Sequence, residues 1–85
     1  MRLTKARRRV LEMLAGEQGE AYRRLRDFHG WRVRCVEGGV FVERFVLHRV
    51  IHPLFDGGLI IETEEDEAAI TPAGRRALTT PRRKR

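Results

Sequence analysis

The stretch ERFVLHRVIHPLFDGGLIIETEEDEAAITPAGRRAL, residues 43–78, decides the fold. Its first part has a helical period. At 100° per residue, Val46, Leu47, Val50, Ile51 and Leu54 share one arc, while Arg44, His48, Arg49 and His52 share the facing one. The spacing predicts a helix over residues 43–56, with Phe45 and Phe55 exposed beside the polar arc. Pro53 lies inside that helix, where it removes one backbone donor and should kink or shorten the last turn. Gly57 and Gly58 end it. Residues 59–63 then read as a strand, 64–67 as a charged loop tip and 68–70 as a short return strand. Thr71 is placed to cap a last helix whose first position is Pro72, a residue preorganised for that place.

Upstream, residues 4–15 read as an opening helix with Thr4 as N-cap and Gly16 as a left-handed C-cap. Ala6, Val10, Leu11, Met13 and Leu14 form its apolar arc, and Lys5, Arg8, Arg9 and Glu12 face away from it. Residues 20–28 are a weaker helical segment with Ala21, Leu25 and Phe28 inward. Residues 31–36 alternate Trp31, Val33 and Cys35 with Arg32 and Arg34, and 40–42 return after Gly38-Gly39. That is a hairpin signal. Arg32 and Arg34 are left as either a solvated face or a backbone contact. The fold class expected is α+β, with three to four helices, a wing hairpin and an extra β-hairpin. Residues 1–79 form the domain, and 80–85 a flexible basic tail.

Composition narrows the function. The chain has 85 residues, enough for one domain and too few for catalytic and cofactor domains side by side. One cysteine, Cys35, excludes an internal disulfide and cysteine-paired zinc sites. No apolar run spans a bilayer, and no apolar signal region follows the basic N-terminus, so a cytoplasmic protein is expected. Eighteen Lys and Arg against 12 acids give a net charge of +6. Five of the acids crowd into residues 62–67, and Arg82, Arg83, Lys84 and Arg85 close the chain. The rest is strongly basic, and its field favours a polyanion. Arginine, which forks onto phosphate and guanine, supplies 16 of the 18 bases.

Three pieces resemble the winged-helix domain of MarR- and PadR-type regulators and of small phage and bacterial winged-helix proteins. LFDGGLIIE (54–62) resembles the step from helix into first wing strand. ITPAGRRAL (70–78) resembles the second wing strand running into its following helix, and RRRVLEMLAG (7–16) is similar to the opening helix. The resemblance implies a winged helix-turn-helix fold and a small transcriptional regulator that binds double-stranded DNA. The helix before the wing, residues 43–56, would enter the major groove, with Arg44, His48, Arg49 and His52 outward. Arg8, Arg9 and the tail cations Arg82, Arg83, Lys84 and Arg85 would add phosphate contacts. Glu64, Glu65, Asp66 and Glu67 at the wing tip repel phosphates, so the wing is expected to point away from DNA or to meet a basic protein surface. The alternative function is therefore a protein-interaction module, for example a phage inhibitor of a host enzyme, using the acidic wing with Phe45 and Phe55. A basic RNA-associated protein is a further alternative. A homodimer is allowed, and the sequence does not fix the oligomeric state.

No enzymatic activity, metal or other cofactor is expected. His48 and His52 stand one helical turn apart, but no third ligand has a signature spacing. Cys35 falls on an inward strand position, where a small buried hydrophobe is the simpler reading. The glycine pairs are turn chemistry and do not build a phosphate loop.

Overall fold

The structure, a computed structural model, describes residues 2–79. The elements run α1 (Lys5–Ala15), β1 (Glu17–Tyr22), β2 (Gly30–Glu37), β3 (Val40–Leu47), α2 (His48–Asp56), β4 (Ile60–Glu64), β5 (Glu67–Ile70) and α3 (Pro72–Thr79). The strands form one antiparallel sheet in the order β3-β2-β1-β5-β4. The α+β class expected from the sequence is therefore present, with three helices among the described residues.

Local chemistry explains the best-matched elements. Thr4 Oγ1 accepts from the Arg7 amide at 3.2 Å and caps α1. Gly38 and Gly39 have φ of 58° and 80°, the two left-handed centres of a tight hairpin turn. Thr71 Oγ1 accepts from the Gly74 amide at 3.1 Å and donates to the Gly58 carbonyl at 2.6 Å, tying the start of α3 to the end of α2. The β4–β5 hairpin turns at Glu65 and Asp66, where Asp66 takes a φ of 62°.

Three expectations are corrected. Residues 20–28 are not helical: β1 ends at Tyr22 and a loop follows. Ala21 is fully buried there because it pairs with Val33 on one side and Ala68 on the other. Leu25 and Phe28, expected inward, are 92% and 77% exposed. Distant strands thus overrode a weak local pattern. Residues 43–47 are not helical either. They complete β3, matched to β2 in an unbroken register from Gly30↔Leu47 to Glu37↔Val40, and the helix begins only at His48. Valines and phenylalanines at 40–46 suit a pleated strand, and eight consecutive pairs with β2 outweigh five residues of helical period. Lastly, Gly16 is extended, with φ −75° and ψ −179°, not left-handed. Pro53 sits inside α2, which still runs to Asp56. No two helices follow one another directly, because three strands separate α1 from α2 among the described residues.

All three helices cover one face of the sheet. Trp31, Val33, Cys35, Ala21, Ala68 and Ile60 point to that face and pack on Val10, Leu11, Met13, Leu14, Ile51 and Leu54. Burial pushes the Cys35 thiol above its usual range, as befits a core side chain. The other face, bearing Glu20, Tyr22, Arg32, Arg34, Phe41, Glu43 and Phe45, has no covering layer among the described residues. Among the described residues no helix is long and apolar enough to cross a membrane.

Candidate nucleic-acid interface

Two layers divide the charge. The three helices carry seven Lys and Arg against two acids, whereas the five strands carry three Arg against seven acids. No helix has an acid in its first turn, so the positive ends of the helix dipoles are not offset by their own side chains.

The open face is internally neutralised. Arg34 pairs with Glu20 and lies over the Tyr22 ring at 4.9 Å. Arg32 lies over Phe45 at 5.1 Å and forks onto the Asp27 carboxylate at 3.1 and 3.2 Å. The Tyr22 hydroxyl donates to Glu43 at 2.9 Å. Both hairpin arginines thus have an acid and a ring already, and a phosphate would have to displace them.

The buried Asp27 carboxylate also accepts from the Arg24 amide at 3.4 Å. These donors, Arg32 first, hold Asp27 below the usual carboxylate range. A lowered folded pKa means that the stabilisation is complete above the unfolded value and lost as pH falls through the folded one. Thermal unfolding should therefore show a steep loss below pH about 4. Asp27→Asn should be less stable at pH about 7, with a shallower acid limb. An equally steep limb in the variant would remove Asp27 from the cause.

The sequence-derived site residues are not gathered on one helix. Arg44 belongs to β3, opposite the buried Val33, so it leaves the sheet on the helix side of the edge strand. It borders a groove of about 250 Å³ between α1, β3 and α2, with Arg9, Val10, Met13, Val46 and Val50. Arg9 forks onto Glu37 at 2.9 and 3.2 Å and holds that carboxyl below its usual range, with help from Arg44. Arg8 is half-buried on α1, and Arg49 is exposed in the first turn of α2.

His48 is half-buried with Nδ1 unpartnered. Burial first, then His52, Arg23 and His29, lower its pKa, so it is neutral near pH about 7. His52 is exposed, its ring 5.1 Å from that of His48. Phe45 is partly exposed beneath Arg32, but Phe55 is half-buried against Trp31 at 5.4 Å, which corrects its expected exposure. At the tip of the β4–β5 hairpin Asp66 is held by Arg23 at 3.1 Å, and Glu64, Glu65 and Glu67 are exposed. Arg82, Arg83, Lys84 and Arg85 lie outside the described residues. No group of three or more His, Cys, Asp or Glu among the described residues has metal-holding geometry.

Arg75 and Arg76 on α3 were missed by the sequence reading. α3 packs beside α1, and Arg75 reaches the Ala15 carbonyl at 3.4 Å. Counting charge by element would have marked both. No protein-family model, curated protein or solved structure matches the chain.

Proposed function

We propose that this protein binds double-stranded DNA through its helix layer, as a small regulator of the winged-helix kind. The observation that carries the reading is the division of charge: a polyanion is attracted by the helices and repelled by the strands. The order of β1, β5 and β4, with α2 before the wing and α3 after it, accords with the winged-helix reading. A hairpin stands where that family has its second helix. α2 has nine residues and one Arg, so phosphate contacts should outweigh base reading, and sequence preference should be modest.

Anisotropy of a labelled random duplex, titrated at several salt concentrations, tests this. Replacing Lys5, Arg8, Arg49 and Arg75 together by Gln should weaken binding and flatten the salt dependence by up to about 0.9 per lost phosphate contact. Arg24→Gln with Arg26→Gln, in the loop after β1, should change neither. Wild-type binding that ignores salt, or equal effects of the two variants, would overturn the reading.

A second reading has its own support. Leu25 and Phe28, both largely exposed, share a cleft of about 360 Å³ with Arg23, Arg24, Asp27 and with Glu65 and Asp66 of the wing. Asp66 and Asp27 there are already paired with Arg23 and Arg32, so it is exposed Glu65 beside Leu25 and Phe28 that suits a basic, apolar protein segment. If Glu64→Gln with Glu65→Gln abolishes the protein's biological effect and leaves duplex binding unchanged, this reading replaces the first.

A further inference from the structure

The two edges of the sheet are built differently. β4 has five residues, two of them Glu, and a register irregularity between Glu62 and Glu64. Shortness, charge and bulges are the ordinary protections of a strand edge. β3 has none of them apart from Glu43 and Arg44 at its centre: it runs eight residues, without proline, in unbroken register with β2. Among the described residues its outer backbone groups have no strand partner, and Val40, Phe41 and Phe45 are 62%, 58% and 44% exposed.

We infer that β3 pairs antiparallel with β3 of a second copy of this chain, joining two five-stranded sheets into one. Its sequence, VFVERFVL, is three apolar residues, two charged and three apolar, a pattern that survives reversal. A two-fold axis perpendicular to the sheet matches residues of the same face only. Centred on Glu43, it sets Phe41 against the partner's Phe45 on the open face. On the helix face it sets Val40 against the partner's Val46, and Val42 against the stem of the partner's Arg44. Centring on Arg44 would oppose Phe45 to Glu43 and Arg44 to itself, and centring on Val42 would oppose Phe41 to Glu43. Only in the first register do both exposed phenylalanines, Phe41 and Phe45, meet an apolar partner.

Its cost is the meeting of two Glu43 carboxylates. Each is flanked by Arg34, its pairing partner on β2, and bonded by Tyr22. Like charges directly opposite weaken a pair, so the dimer is reversible. The same axis leaves both helix layers on one side.

Sedimentation equilibrium of the full chain tests the inference without any nucleic acid, so its failure leaves the DNA reading standing. The expected result is a concentration-dependent rise from 9.9 kDa to twice that mass. Glu43→Gln should tighten the dimer about threefold or more. Phe41→Glu should leave monomer with wild-type circular dichroism, and Ile61→Glu on β4 should change nothing. Mixing Phe41→Cys with Phe45→Cys should give a disulfide-linked pair, the buried Cys35 staying reduced. Monomer at every concentration, or a dimer indifferent to Phe41→Glu, would overturn it.

Discussion

Trp31→Ala is expected to leave the chain largely unfolded in dilute urea. Trp31 is 4% exposed, packs on Phe55 and carries the Arg23 guanidinium at 5.2 Å over its ring. It joins α2 to the sheet through Phe55. Truncating a buried tryptophan costs about 3–5 kcal/mol, against a total stability of roughly 4–13 kcal/mol for a chain of this length. Trp31→Phe should cost much less. It keeps most of the apolar volume and removes Nε1, a buried donor that has no partner. Urea midpoints for the two variants check the ordering, and near-equal losses would show that bulk at this position matters little.

The second large effect is an inversion of sign at Gly74. In an exposed helix interior, replacing glycine by alanine stabilises by about 1 kcal/mol. Here a Cβ would collide with the Leu59 carbonyl oxygen and press on the Ile70 side chain, and that carbonyl already accepts from the Thr71 amide at 3.0 Å. α3 would have to lift off β5 and the Leu59 backbone. Gly74→Ala should destabilise by about 1–3 kcal/mol and Gly74→Val by more. The melting temperature should fall by about 4–8 °C per kcal/mol. A melting temperature that rises in Gly74→Ala would mean that α3 yields freely.

Both residues show how unevenly the sequence discloses the structure. Where a few adjacent residues determine geometry, the reading was close. Thr4 and Thr71 cap helices, Gly38-Gly39 turns a hairpin, and Pro72 opens α3. It failed where geometry depends on a distant partner. The segment 43–47 has apolar residues compatible with either period, and only its register with β2 settles that it is extended. Ala21 gives no local sign that two strands will enclose it.

The candidate interface was legible to the same extent. The excess of Arg was visible at once, but Arg9, Arg32 and Arg34 find carboxylates 28, 5 and 14 positions away. Only the folded chain separates these committed cations from exposed Lys5 and Arg49, which have no such partner among the described residues.

The strand order has a kinetic consequence as well. β2 with β3, and β4 with β5, are each joined by a short turn and can zip locally, on a timescale of about 1–10 μs for a hairpin. β1 meets β5 across most of the chain, through the pairs Ala21↔Ala68 and Tyr22↔Glu67. Closing that loop is entropically costly and must precede any gain from the contact. The seam should therefore form late in folding and part first in fluctuations of the native state. In hydrogen exchange, amides along the β1–β5 seam should lose protection ahead of those in the β2–β3 ladder, as two hairpin-bearing halves swing apart about α2, which links β3 to β4.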